Sequence, residues 1–446
     1  MKWLWRQFPI FYTLPFVAAT LAVDPVANAG SIIRWVMLAI GGLLAVFLVF
    51  YGRTNRTEKF AAGDIPFIVY LLFFLASTFW SINPAYTFGR AVSVVLLYLT
   101  SFWTLRRWAI QFSEDLLVEK MVYTLATCLA INLVFGLLFA RNELFGARFQ
   151  GAFTNPNNIA DISGLCAPLA FGWLVIRRRV RDWIVLGIIG ASLTVCGNRT
   201  ALIAVLMAGA LMISFGVIRK QWIALLIGGV MVVFLAFFSQ TDYFKENILR
   251  AGTLDTMSNR TQFWDLARQQ YIPQRPKLGH GFGTDALINE YYGNNLPDLK
   301  LRGYGLSSSY YGMAVQVGIP ATVIFFGLLW GLTGLGLARF PNDWRVVVYG
   351  ATVVAGLVVS ITESVIYSAG NCFSFLFWTV VMLMLKRMRH NHSVLAVNRA
   401  QIWAAKRKKR RGAAQQPPGN SLPNPVEPAI PAAKVPDAHS PVHSQP

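Results

Sequence analysis

"IADISGLCAPLAFGWLVIRRRVRDWIVLGIIGASLTVCGNRTALIAVLMAGALMISFGVIRK", residues 159–220, decides the fold. Three apolar runs follow one another: Ile159–Ile176, Asp182–Gly197 and Ala201–Ile218. The first two are divided by a knot of arginines, Arg177–Arg179 and Arg181, and the last two by the short polar turn Gly197–Thr200. The basic pair Arg219 and Lys220 closes the stretch. Runs of this length suit helices crossing a hydrocarbon core, which takes about 20 residues at 1.5 Å each. Basic residues in every second connection mark the cytoplasmic loops of such a protein.

Outward from this stretch the same grammar covers most of the chain. Of its 446 residues 55% are hydrophobic and only 13% charged, about half the charge of a soluble domain. Further candidate spans are Phe8–Val23, Ser31–Phe50, Ile65–Trp80, Tyr86–Thr104 and Val118–Phe139, then Trp222–Phe238, Tyr310–Leu337, Val346–Thr362 and Ser368–Leu385. The expected fold is all-α, a polytopic membrane protein of about twelve transmembrane helices with one large outer loop. No cleavable leader is expected, because no convincing cleavage site follows the first apolar run.

The net charge of +20 invites a nucleic-acid reading, and its distribution argues against one. Lys2 and Arg6, Arg53, Arg56 and Lys59, Arg106 and Arg107, Arg339 and Arg345, and the tail from Lys386 all fall on the side of the 177–181 cluster. Both termini are therefore expected in the cytoplasm, and the charge reports orientation. Cys128, Cys166, Cys196 and Cys372 lie in or at the ends of apolar runs, as small buried hydrophobes do.

Four regions are expected: transmembrane helices one to nine over 1–238, an outer loop over 239–309, helices ten to twelve over 310–386, and a basic, then Pro-rich and disordered, cytoplasmic tail over 387–446. Phe263, Leu266, Ala267 and Tyr271 have helical spacing, which predicts a short amphipathic helix over Met257–Tyr271, capped by Ser258 and ended by Pro273. The basic part of the tail suits anionic lipid headgroups.

Polar residues at the outer ends of the spans are the candidates for function. Arg90 lies one turn inside its span, where an arginine costs about 2.5–3.5 kcal/mol on insertion scales and needs a partner or a cavity. Arg148 and Arg302 suit either headgroup anchoring or ligand binding. Arg199 in "GNRT" and Arg260 in "SNRT" are presented by tight polar turns, and a guanidinium fork matches phosphate oxygens. Arg268, Arg275 and Lys277 share the outer loop, with Glu363 in the last outer connection. His280 in "KLGHGFG" suits either a general base or a ring bonded within a Gly turn. In "TNPNN" Asn155 and Asn157 offer amides to a hydroxyl-rich ligand, one Asn there serving as a helix cap. Asp161 is an acid within a span. No metal-ligating constellation is present outside, so positive side chains would do a cation's work.

Four stretches in order resemble the superfamily of O-antigen ligases and of O-antigen and exopolysaccharide polymerases: "GAFTNPNNIADISGLCAPLA", "CGNRTALIAVLMAGAL", "SNRTQFWDLARQQYIPQRPKLGHGFG" and "SSSYYGMAVQVGIPATVIFFGLLW". The similarity runs over roughly residues 65–385. It implies transfer of glycan from a polyprenyl-pyrophosphate carrier to an acceptor hydroxyl at the periplasmic face of the inner membrane, with neither nucleotide nor metal cofactor. It also implies catalytic roles for Arg199, Arg260 and His280, and substrate contacts for Arg90, Asn155, Asn157, Arg268, Tyr310 and Glu363. Its partners would be lipid-linked glycan, membrane lipids, a chain-length regulator and export proteins, with no nucleic acid. One departure favours a polymerase over a ligase. Where many members carry His-Asn before Ser-Tyr, this chain has Ser307 and Ser308 before Ser309-Tyr310. A transporter of lipid-linked oligosaccharide is the competing class, and it predicts an internal repeat that the sequence lacks.

Overall fold

Without water in the hydrocarbon region, each backbone N–H and C=O must be satisfied within its own segment, and helices do this. The computed structural model describes residues 2–51, 62–141, 144, 148–216, 260–293 and 306–414, and helices dominate throughout them. Among the described residues the one β-pairing is an isolated bridge between Leu21 and Phe153. The expected span Trp222–Phe238, Ser258, Arg302, the basic loop 53–59 and the Pro-rich end of the tail lie outside the described residues.

The chain divides into two compact units, Met1–Asn391 and His392–Pro446. In the first, α1 (Lys2–Ala18) and α2 (Asp24–Tyr51) are followed by α3 (Ile65–Ala76) and α4 (Pro84–Leu99). A wide π turn at Thr100–Leu105 then carries the chain into Arg106–Gln111. Next come α5 (Glu114–Phe139), α6 (Pro156–Arg177), α7 (Val180–Val195) and α8 (Arg199–Ser214). After the short α9 (Arg260–Leu266) follow α10 (Ser309–Val317), α11 (Ile319–Arg339) and α12 (Trp344–Thr362), and α13 (Cys372–Ala414) runs across the boundary at Asn391. In the second unit Val394, Leu395, Val397 and Trp403 are exposed.

Six described helices are long and apolar enough to cross a membrane, while 65–80 and α8 are shorter apolar helices. The protein is thus an all-α, multi-pass membrane protein. Its centre is α6 and α12, of which 83% and 89% of the most apolar stretch is buried. Lipid is as apolar as leucine, so such helices associate through close packing and polar contacts. Small residues supply the close packing, with Gly164 of α6 facing Ala201 of α8. Phe373, Phe375 and Phe377 add fully buried rings to the same core.

The expected single span Tyr310–Leu337 is two helices. Gly318 separates them at φ 83° and ψ 164°, a conformation that favours glycine. Pro320 then starts α11 without an N–H to satisfy. The amphipathic segment also differs from its expected outline: α9 continues through a π turn at Ala267–Tyr271 and ends at Gln274, one residue past Pro273. Phe263, Ala267 and Tyr271 are buried as their spacing demands.

The two ends of the bundle carry their charges differently. At one end acids on the first turns of α5 meet bases from four other elements. Arg345 is bidentate to Asp115, at 3.0 and 2.8 Å, while Arg177 and Arg181 reach Glu119 at 2.6 and 3.0 Å. Asp343 holds Arg387 at 2.6 Å. Deeper in, Arg106 lies 2.8 Å from Asp64, both nearly buried. Removing one partner of such a pair leaves an uncompensated buried charge. Asp64→Ala is expected to cost about 3–5 kcal/mol, and Asp64→Leu combined with Arg106→Leu to recover most of it. Thermal unfolding of the purified variants in detergent checks this, and an equal loss in the double variant would contradict it.

Candidate functional site

The opposite end gathers the N-termini of α6, α8, α9 and α10 with the C-terminus of α12. Its arrangement begins with caps. Asn155 caps α6 by accepting the N–H of Asn157 at 2.8 Å, and Asn198 caps α8 through the N–H of Ala201 at 3.1 Å. With capping assigned to Asn155, the Asn157 side chain is left to link three elements. Its Oδ1 accepts from Arg148 Nη2 at 2.5 Å and Asn198 Nδ2 at 3.2 Å. Its Nδ2 donates to Glu363 Oε1 at 2.9 Å.

Glu363 is the carboxylate at this junction. Arg260 Nη2 meets its Oε1 at 2.5 Å, and its side chain is 13% exposed. The main chain at Glu363 is fixed as well, because its carbonyl accepts from Ser309 N at 3.0 Å and Ser309 Oγ at 2.7 Å. Burial pushes the Glu363 carboxyl up from its ordinary value, and Arg260 and Arg148 draw it back. Arg148, also tied to the Cys196 carbonyl at 3.2 Å, is held below its ordinary value by burial first and by repulsion from Arg260 and Arg199. Arg199, the first residue of α8, lies within electrostatic reach of both. Arg260 and Arg148 thus act on one carboxylate, with the charge of Arg199 felt by both of them. Four residues along α6 from Asn157, and so on the same face, Asp161 is 3% exposed. Its Oδ1 has no hydrogen-bond partner.

The other candidates are placed elsewhere. His280 is fully buried in a loop docked on α10: its N–H bonds the Val315 carbonyl at 2.9 Å and that of Gly281 bonds Gln316 at 2.9 Å. Gly279, at φ 68°, lies so close to Gln316 that a Cβ there would meet backbone at 2.4 Å. The His280 Nδ1 faces the Val315 carbonyl at 3.1 Å, an acceptor, so Nδ1 carries the proton. Nε2 then accepts from the Tyr292 hydroxyl at 2.8 Å. Both ring nitrogens are occupied. Tyr310 stacks on Phe326 with centroids 3.8 Å apart, and its hydroxyl donates to the Leu357 carbonyl at 3.3 Å and accepts from Trp330 Nε1 at 3.2 Å. Arg268 is an exposed surface residue paired with Asp265 at 3.0 Å.

Arg90 belongs to a second polar centre. Its side chain packs over Gly283 and lies 5.9 Å from the Tyr86 ring centroid. Asp285, 2% exposed, feels its charge and accepts from Tyr367 at 2.7 Å. Asn198, Asp285 and Tyr367 were not singled out by the sequence reading. An Asn directly before Arg199 was a legible cap signal, whereas nothing local marks the pairing of Asp285 with Tyr367.

Burial pulls the His280 imidazole down, and Arg275 adds to this against the Val315 bond. The unfolded chain therefore takes up the proton first, and stability falls as pH drops through the ordinary histidine range. The stability gap between wild type and His280→Gln, measured by thermal unfolding, is expected to be widest near pH ~7 and to narrow towards pH ~5. A constant gap would show that the ring does not titrate in this way.

Residues 184–326 match the family model described as O-antigen ligase. No curated protein matches the chain. The matched segment contains Arg199, Arg260 and His280, while Arg148, Asn157 and Glu363, which cluster with the two arginines, lie outside it.

Proposed function

We propose, from the match of residues 184–326 to the O-antigen ligase family model, that this chain polymerises cell-surface polysaccharide from repeat units carried on polyprenyl pyrophosphate. The observation that supports the reading is the cluster of Arg260 on Glu363 and Arg148 on Asn157, with Arg199 within electrostatic reach of both arginines, at one end of the bundle. By the positive-inside pattern this is the outer, periplasmic end. It is where a carrier anchored in the outer leaflet would present its pyrophosphate.

The reaction follows from the groups present. An acceptor sugar hydroxyl oxygen attacks the anomeric carbon of the donor glycan, forming the new glycosidic bond. The bond from that carbon to the phosphate oxygen breaks, and its electron pair leaves with the carrier pyrophosphate. Negative charge grows on that leaving group, and guanidiniums held in place beforehand stabilise it without reorganising, which is the largest contribution in many enzymes. One displacement inverts the anomeric configuration. The hydroxyl proton goes to Glu363 Oε2, which is left without a hydrogen bond while Arg260 and Asn157 occupy Oε1. His280 is a poor base by comparison, since using Nε2 would cost its bond to Tyr292.

A ligase would use the same arginines. Ser309, whose N–H and hydroxyl hold the Glu363 carbonyl, follows the positions where many ligases carry His-Asn, and this favours the polymerase. In a deletion strain, the Arg260→Ala gene is expected to reduce transfer by about 10²–10³-fold and leave single repeat units in place of long polymer. Glu363→Gln is expected to lose about 10²–10⁴-fold. Gel analysis of glycan length, at matched protein level, reads both. Full-length polymer stranded on the carrier would mean a ligase, and normal polymer from both variants would end the arginine–carboxylate reading.

A further inference from the structure

A second pair of arginines lies at the same end of the bundle. Arg34 sits on α2, about 15 Å along the helix from Asp24 at 1.5 Å per residue. That start is tied to the site's end, because Ala22 and Thr154 bond the carbonyls of Ala152 and Thr20 at 2.7 and 2.9 Å. An arginine so far into an apolar helix carries an insertion cost of a few kcal/mol unless something compensates it. Arg34 Nη1 donates to the Gly370 carbonyl at 2.6 Å and Nη2 to Ser31 Oγ at 3.1 Å. Its buried Nε has no hydrogen-bond partner among the described residues. No carboxylate lies within ion-pair distance of Arg34 or of Arg90 among the described residues. Asp285, which feels the charge of Arg90, already accepts from Tyr367.

Arg34 nevertheless lies within electrostatic reach of Arg90. Two guanidiniums near one another at membrane depth repel, and an anion between them would relieve that repulsion and engage the orphaned Nε. The neighbouring surface is apolar and outward-facing: Ile32, Ile33 and Val36 on α2 and Phe88 on α4 are all exposed. A ligand with a lipid chain and a phosphate head fits both features.

We infer that Arg34 and Arg90 form a second lipid-phosphate site, which holds the pyrophosphate of the acceptor's carrier while Arg148, Arg199 and Arg260 hold the donor's. The inference rests on the polymerase reading. Polymerisation brings together two carrier-linked glycans, so two anionic heads must be held at once, with the acceptor's pyrophosphate ester left intact. A ligase has a single carrier pyrophosphate to bind.

Binding stoichiometry tests this. Radiolabelled polyprenyl pyrophosphate is titrated onto the full-length protein in nanodiscs of zwitterionic lipid. Wild type is expected to bind two equivalents, Arg34→Gln and Arg90→Gln one each, Arg260→Gln one, and Arg34→Gln with Arg260→Gln none. Retention of the Arg260-dependent equivalent shows that the Arg34 and Arg90 variants are folded, and Arg34→Lys, which keeps the charge, should hold both equivalents more weakly. One equivalent in wild type, lost with Arg260→Gln, overturns this inference and leaves the proposed function standing. No binding at all defeats both. Displacement of the Arg34-dependent equivalent by excess phosphatidylglycerol would identify the site as one for bulk phospholipid headgroups and overturn the acceptor assignment.

Discussion

The Glu363 carboxylate, paired with Arg260 and linked through Asn157 to Arg148, is the constraint on which this end of the molecule depends. Like charges about 4 Å apart repel by about 4 kcal/mol even at an effective dielectric constant of 20. Arg148, Arg199 and Arg260 come from three different segments and would not gather unaided. Glu363 offsets the repulsion, and Asn157 spreads the connection by accepting from Arg148 and donating to Glu363. Ser309 in turn fixes the main chain beneath that carboxylate. The positions of α6, α8, α9, α10 and α12 relative to one another at this end thus converge on one side chain.

The opposite end shows what the same residue types do when they are paired. There Arg345, Arg177, Arg181 and Arg387 meet Asp115, Glu119 and Asp343 in ion pairs, and the acids on α5 also sit favourably on a helix N-terminus. Those pairs lock helices together. At the Glu363 end one carboxylate oxygen takes both Arg260 and Asn157, and Arg148 turns instead to Asn157 and the Cys196 carbonyl.

Much of this was legible in the sequence, and what was missed had physical reasons. The spans could be read because a lipid-facing helix is apolar on all sides, so run length alone reports it. Arg199 and Arg260 stood out because short polar turns isolate them. The break at Gly318 was hidden, since apolar residues continue on both sides of it and only the backbone conformation changes. Arg34 was passed over inside an apolar run because its partner, the Gly370 carbonyl, lies 336 residues away. "KLGHGFG" could be read two ways: glycines that bring a backbone close to a phosphate also let a loop dock on a helix end, as Gly279 does against Gln316.

Two of the three serines at 307–309 hold the corner that carries Glu363. Ser308 caps α10 by accepting from Tyr311, and its own N–H is held by Ser364. Ser309 then bonds the Glu363 carbonyl and accepts from Val365 at 3.1 Å. Histidine at this corner would bring its own ring nitrogen to the substrate. Serine instead sends its hydrogen bonds into the connection that carries Glu363, which in the proposed mechanism would put the proton acceptor at the end of α12. The base would then be a carboxylate beside the arginines that receive the leaving group, so that substrate pyrophosphate and base feel the same charges. Loss of one arginine should therefore disturb both halves of the displacement, departure of the carrier and removal of the hydroxyl proton.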